Sequence, residues 1–374
     1  MKDKILELES VRGLAALMVV LFHTPAWYLP LFELSIVRNG FLMVHLFFVL
    51  SGFVIYKAYG TRLHSATDAV KFQALRFGRL YPIHILFLLV FVGIEGAKYV
   101  AATKFGMNLP NAQPFQNGGI AEFIQSLFLV QSLGFTENAK PFNFPSWSIS
   151  VEFYTYILFA VVTLLARRGK TLVYAALAVL ALLTVALLRE DVGNFIFILH
   201  CVFGFFLGCL VCQACDALRG ADLRLPAVAP LAVFVLILVY LWLKPEGERP
   251  YDYDLLIFPL TALLILALQL ADDNPLSRLL RAKTLAWLGT ISYSIYMSHA
   301  ALIWTANQFI RVVLKRPELS INGLMHPQLP AGDAILAYGA LFALVIGLSS
   351  LTFLWIENPL REAARRKIAF RRAS

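Results

Sequence analysis

The stretch Glu9-Ser-Val-Arg12-Gly-Leu-Ala-Ala-Leu-Met-Val-Val-Leu-Phe-His23 decides how this chain is read. Every residue between Arg12 and His23 is apolar or glycine, as in a membrane helix. A charge in the hydrocarbon costs about 2.5–3.5 kcal/mol on insertion scales, so ionisable groups there default to function. At about 1.5 Å rise per residue the two groups lie about 16 Å apart, the arginine near a membrane face and the imidazole near mid-depth.

The rest of the chain fits that setting. Of 374 residues, 59% are hydrophobic and 15% charged, with a mean hydropathy of +0.72. Soluble domains are about half apolar and about a quarter charged, so the chain reads as membrane-integral throughout. The net charge of +9 sits in short connectors between apolar runs, which argues for membrane orientation and against nucleic acid. Asp3, Glu7 and Glu9 spoil the basic start of a cleaved signal peptide. Cys201, Cys209, Cys212 and Cys215 share one apolar segment with no fourth ligand type nearby, so they read as small buried hydrophobes and no metal is expected.

Ten runs are long enough to span: 11–29, 41–59, 80–100, 147–166, 171–188, 193–213, 227–243, 254–271, 286–310 and 334–356. The expected fold is all-α and polytopic. An eleventh run, 120–134, is short and polar enough to be re-entrant or interfacial. With ten spans, 21 basic residues share the side of both termini and 10 lie opposite, which predicts cytoplasmic termini. Trp27, Tyr28, Trp242, Tyr251 and Tyr253 fall at predicted outer ends, as an aromatic belt would. One membrane domain over 1–361 and a basic cytoplasmic tail over 362–374 are expected.

Beyond Arg12 and His23, three constellations can carry chemistry. Arg76-x-x-Arg79-Leu-Tyr-Pro82 puts two guanidinium forks on one helical face, suited to phosphates or to an ordinary positive flank. Pro145-Ser-Trp147-Ser148-Ile-Ser-Val-Glu152 opens a span and carries Glu152 over one turn into it, where a carboxylate needs a histidine or arginine partner. Tyr293-Ser-Ile-Tyr296-Met-Ser-His299 forms a polar-tipped stripe at i, i+3 and i+6. His84 and His200 read as histidines satisfied locally. Ser51-Gly52 and Gly13 read as sites of close helix approach, and Ser51 lacks a nucleophile elbow.

Leu8-Glu-Ser-Val-Arg12-Gly-Leu-Ala-Ala16 with His23, His45-Leu-Phe-Phe-Val-Leu-Ser51-Gly-Phe53, Arg76-Phe-Gly-Arg79-Leu-Tyr-Pro82, Pro145 to Glu152, Tyr293 to His299 and Glu357-Asn-Pro-Leu-Arg361 together resemble acyltransferase family 3, over residues 5 to 361. The resemblance implies a ten-helix membrane transferase moving an acyl group, usually acetyl, from acyl-coenzyme A to a hydroxyl of a carbohydrate or glycolipid acceptor. His23, Glu152 and Arg12 are the expected catalytic residues. Arg76 and Arg79 are expected to bind the coenzyme, with Ser51, Trp147, Ser148, Tyr293 and His299 in support. Glu152 is expected to orient the His23 imidazole. A bacterial inner membrane is the expected location, with membrane lipid as the surroundings. A cytosolic small-molecule acceptor and a glycan or lipid transporter are the alternatives.

Overall fold

The computed structural model describes residues 5–107, 111, 113–245 and 255–368, with backbone only at 189 and 190. Tyr251, Tyr253 and the end of the tail, 369–374, lie outside the described residues. Helices make up 77% of the structure. In chain order they are α1 (Leu6–His23), α2 (Leu29–Phe32), α3 (Ser35–Arg38), α4 (Met43–Tyr59), α5 (Ala66–Phe105), α6 (Ile120–Leu127), α7 (Ser146–Leu165) and α8 (Lys170–Leu188). There follow α9 (Ile196–Gly220), α10 (Ala229–Leu243), α11 (Ile257–Leu270), α12 (Pro275–Leu280), α13 (Lys283–Gln308), α14 (Ala331–Thr352) and α15 (Asn358–Lys367).

Each of the ten apolar runs coincides with a helix. Among the described residues six helical stretches are long and apolar enough to cross a membrane: Ser35–Tyr59, Ala66–Phe105, Ser146–Leu165, Lys170–Leu188, Asp191–Gly220 and Ala331–Lys367. Helices α10 and α11 are apolar but shorter. Helices α1 and α13 fall outside the six because they carry the charges and hydroxyls. Those two pack on each other along their length.

Glycine permits that packing. A Cβ on Gly13 would sit 2.6 Å from the Gly289 nitrogen, and one on Gly289 would strike the Glu9 carbonyl. The Ser10 hydroxyl donates to the Leu280 carbonyl beside this crossing. Helices α4 and α9 meet in the same way, with Gly52 against the Phe205 carbonyl and Gly208 against that of Val49. Small residues of this kind let membrane helices approach backbone to backbone.

The boundaries differ from expectation in ways the local chemistry explains. Helix α1 stops at His23, not near 29, because Pro25 disfavours helical backbone at the residue before it. Trp27 therefore leaves the expected aromatic belt; it is fully buried and donates its Nε1–H to Asn307 Oδ1 at 3.0 Å. Helix α5 starts well before 80, capped by Ser65 accepting from the Asp68 amide at 3.2 Å, and runs 40 residues through Pro82 to Gly106, whose φ is +59°. Arg76 and Arg79 thus lie inside a helix. Run 120–134 holds only the eight-residue α6, with Ile120, Ile124 and Phe128 exposed. Helix α15 runs unbroken across the boundary expected at 361.

The all-α expectation needs one correction. Strands β1 (Glu318–Ile321) and β2 (Leu324–Pro327) form an antiparallel hairpin, Glu318 opposite Pro327. Asn322 and Gly323 turn it with φ of +50° and +77°, the positive values an Asn-Gly hairpin turn requires.

Gly289→Val and Gly208→Val would each drive a side chain into a neighbouring backbone. Each is expected to cost upward of about 1–3 kcal/mol, read as an earlier thermal transition of the detergent-purified protein. Gly339→Ala, with nothing within 4 Å of its Cβ, is expected to leave that transition unchanged or raise it.

Candidate active site

Two cavities approach one another along α1 and α13. The first, about 90 Å³, is a narrow slot lined by Arg12, Ser51, Arg79, Ser148, Glu152, Tyr156, Tyr293 and Tyr296, with Phe47 and Phe48 among its apolar walls. The second, about 780 Å³, is lined by His23, Arg38, Glu95, Lys98, Phe144, Trp304, Asn307, Arg311 and His326 among others. The larger volume falls in the range of small-molecule pockets.

Helix geometry sets the contents of the slot. On α7, Glu152 and Tyr156 are one turn apart, so the Tyr156 hydroxyl donates to Glu152 Oε1 at 2.5 Å. From α4, the Ser51 hydroxyl donates to the same oxygen at 2.5 Å and lies 3.0 Å from the Tyr156 oxygen. Two hydroxyl donors on one carboxylate oxygen make this a charge-assisted arrangement. Arg12 pairs with Glu9 at 3.1 Å. Arg79 is placed among Tyr156, Glu357, Glu9 and Glu152, yet its Nε is buried without a partner. Glu357, turned inward by a π-helical turn over Phe353–Glu357, accepts from the Ser294 hydroxyl at 2.8 Å.

The stripe on α13 links the slot to the second cavity. The Tyr293 hydroxyl donates to the Leu80 carbonyl at 2.5 Å, and the Ser148 hydroxyl donates to the Tyr296 oxygen at 2.9 Å. One turn on, His299 Nδ1 faces the Tyr296 carbonyl at 2.6 Å, while its Nε2 lies 3.2 Å from His23 Nδ1. His23 Nδ1 also faces the Val19 carbonyl at 2.9 Å. A carbonyl only accepts, so in the neutral rings both Nδ1 atoms carry the proton. His23 Nδ1–H is then shared between Val19 and His299 Nε2. The remaining acceptor of the pair is His23 Nε2, on a ring whose centroid lies 4.7 Å from that of Phe144 at a tilt of 52°.

The second cavity is edged by charge and capped by the hairpin. Lys98 Nζ donates to both Glu95 oxygens at 2.9 Å, and the Phe115 amide donates to Glu95 at 2.6 Å. Burial, then Arg311 and Arg38, holds His326 below the usual imidazole range. Neutral, its Nδ1 accepts the Ala26 amide at 3.2 Å. The Met325 backbone bonds to the Asn111 side chain through both its amide and its carbonyl.

The slot thus gathers Arg12, Glu152, Arg79, Ser51, Ser148 and Tyr293. His23 lies on the second cavity, with His299 against it. The expected Glu152–His23 contact is not made: the carboxylate is turned toward α4, and His299 takes the imidazole instead. Arg76 and Trp147 line neither cavity. Arg76 packs over the rings of Tyr59 and Phe72 at 5.5 and 5.9 Å, and Trp147 against Phe197 at 4.8 Å.

His84 Nε2–H donates to the Ser126 carbonyl at 2.8 Å, the local satisfaction expected of it. His200 instead stands edge-on to His45 at 4.6 Å, and His200 Nε2 and His45 Nδ1 lack partners. Tyr156 escaped the sequence reading although its i+4 spacing from Glu152 was available.

The acyltransferase domain family matches residues 5–354. The chain is similar to YrhL of Bacillus subtilis, named as a peptidoglycan O-acetyltransferase, with 24% identity over 97% of this chain and 56% of that protein. It is similar to the O-acetyltransferase OatA of Staphylococcus aureus, with 22% identity over 97% of this chain and 58% of OatA. Protein 2 in the picA locus of Rhizobium radiobacter is 32% identical over 29% of this chain. The chain thus spans little more than half the length of each of these relatives. No solved structure matches it.

Ser51→Ala and Tyr156→Phe each remove one of the two hydroxyls on Glu152. Each is expected to cost about 1–3 kcal/mol, and the double variant to depart from additivity because both serve one oxygen. A double-mutant cycle on unfolding in detergent measures it.

Proposed function

Because this chain belongs to the acyltransferase 3 family, we propose that it is a membrane-embedded O-acyltransferase moving an acyl group, acetyl in the first place, from acyl-coenzyme A to a hydroxyl of a carbohydrate. The observation that carries the reading is the imidazole pair: with both Nδ1 protons committed, His23 Nε2 is the remaining base, on the wall of a 780 Å³ cavity.

The narrow slot, with Arg12 and Arg79 on its wall, suits the thin arm of a thioester donor. The buried, partnerless Nε atoms of Arg76, Arg79 and Arg361 suit its phosphates. The wider cavity, edged by charged and amide groups, suits a glycan.

In the proposed reaction His23 Nε2 takes the acceptor hydroxyl proton as the oxygen attacks the thioester carbonyl carbon. The carbon–sulfur bond breaks, and the proton passes from the imidazolium to the leaving thiolate. His299 Nε2 accepts from His23 Nδ1–H and so holds the tautomer that presents Nε2, a positioning role. Arg12 polarises the thioester oxygen, and Glu152, held by Ser51 and Tyr156, balances the arginines of the slot. Tyr296 and His299 separate the two cavities, and the acyl group crosses there.

The proposed setting is a bacterial inner membrane, with ten spans and both termini in the cytoplasm. The basic last turn of α15 then lies on the face from which the donor enters. Residues 1–361 form the membrane domain and 362–374 a basic tail. The acceptor class is a surface glycan, as YrhL's name carries for that protein.

His23→Ala is expected to lose about 10²–10⁴ in transfer rate while still inserting and purifying normally. His299→Phe is expected to lower kcat less and leave KM in place. Acetyl transfer from labelled acetyl-coenzyme A in detergent measures both, and full activity in His23→Ala would end the mechanism. Because detergent removes compartments, product formation there also separates a transferase from a transporter.

A further inference from the structure

Helix α15 lies along α5, and their closest approach falls between two pairs of arginines. A Cβ on Gly78 would sit 2.8 Å from the Ala364 Cβ. Gly78 is flanked by Arg76 and Arg79, and Ala364 by Arg361 and Arg365. The four guanidiniums act on one another in a closed ring: Arg76 feels Arg79 and Arg365, and Arg361 feels Arg79 and Arg365.

Like charges brought together repel, and Glu357 and Glu362 offset part of that repulsion at Arg79 and Arg361. Arg76 is only 8% exposed. The Nε atoms of Arg76, Arg79 and Arg361 are all buried without a partner. Among the described residues Arg361 hydrogen-bonds to the neutral Asn358 oxygen at 2.7 Å, and Arg365 is paired with its own neighbour Glu362 at 2.8 Å. Glu357 accepts from Ser294 and acts on Arg79 and Arg361 from a distance, without a direct ion pair to either. Forked guanidinium donors in a convergent set, three of them with an Nε–H that has no partner among the described residues, fit a multiply charged phosphate.

We propose that α15 supplies the second half of a phosphate clamp, with Arg361 and Arg365 closing against Arg76 and Arg79 on a nucleotide bearing several phosphates. The proposal rests on the acyl-coenzyme A reading and extends it: the coenzyme's 3′-phosphate and diphosphate would be held between two helices. A phospholipid headgroup offers the same chemistry, so the test must separate the two sources.

Binding of coenzyme A and of dephospho-coenzyme A to the detergent-purified protein is measured by calorimetry. The protein is also reconstituted in discs of zwitterionic lipid with and without phosphatidylglycerol. Wild type is expected to prefer coenzyme A. Arg361→Gln and Arg365→Gln are each expected to weaken it about tenfold or more, with partial rescue in Arg361→Lys. Arg365, half exposed, keeps the test open if Arg361→Gln fails to fold. Gly78→Leu, which pries the helices apart, is expected to weaken the coenzyme as well.

Variants that bind coenzyme A within twofold of wild type would overturn the clamp and leave the donor assignment standing. Failure of wild type to bind coenzyme A would overturn the donor assignment and the clamp with it. Should the variants change only the response to phosphatidylglycerol, the arginines read lipid phosphate and the nucleotide clamp is wrong.

Discussion

The contact on which the molecule depends is the one between Gly13 and Gly289, where α1 and α13 touch backbone to backbone. These are the helices that carry Glu9, Arg12 and His23 on one side and the tyrosine–histidine stripe on the other. Facing lipid, such groups would each cost kilocalories. Packed inside the bundle they find partners instead, Arg12 in Glu9, Tyr293 in the Leu80 carbonyl, Tyr296 in Ser148 and His23 in His299. The apolar helices around them do what hydropathy says they should. The polar pair at the centre is possible because two glycines remove the side chains that would hold it apart.

From that contact follows a division of labour along the helix axis. One end of the pair holds guanidiniums and carboxylates around a slot; the other holds one imidazole on a wider cavity and a second behind it. A single turn of α13, from Tyr296 to His299, stands between them. A base with its tautomer fixed by main-chain carbonyls does not need a carboxylate to orient it. That frees Glu152 to be bound by hydroxyls in the slot. It also places His23 Nε2 and the arginines on opposite sides of a thin wall, which suits the proposed reaction, in which the two substrates would arrive from different directions.

The ends of the bundle reuse one device. At Gly78 and Ala364, as at Gly13 and Gly289, the absence of side-chain bulk sets which charges become neighbours. The π-helical turn before α15 does the rest, rotating Glu357 inward to Ser294 and leaving α15 to lie along α5. A regular helix through Phe353–Glu357 would have carried those arginines elsewhere.

What the sequence alone determined is what period, composition and spacing encode. The apolar helical runs, Gly13 and Gly52 as points of close approach, and several residues of the slot were legible because each is a local pattern. So, in principle, were two features left unread: the Asn322-Gly323 hairpin signal and the i+4 spacing of Glu152 and Tyr156. Partnership was not legible. The spacing called for a histidine or arginine beside Glu152, where the structure puts the Ser51 and Tyr156 hydroxyls, and His299 looked like ordinary inter-helix bonding. Only the tertiary structure decided between them, because the direction a side chain takes from a buried helix depends on how that helix is rotated against its neighbours. That rotation is fixed by packing across the bundle and has no counterpart in the spacing of residues along the chain.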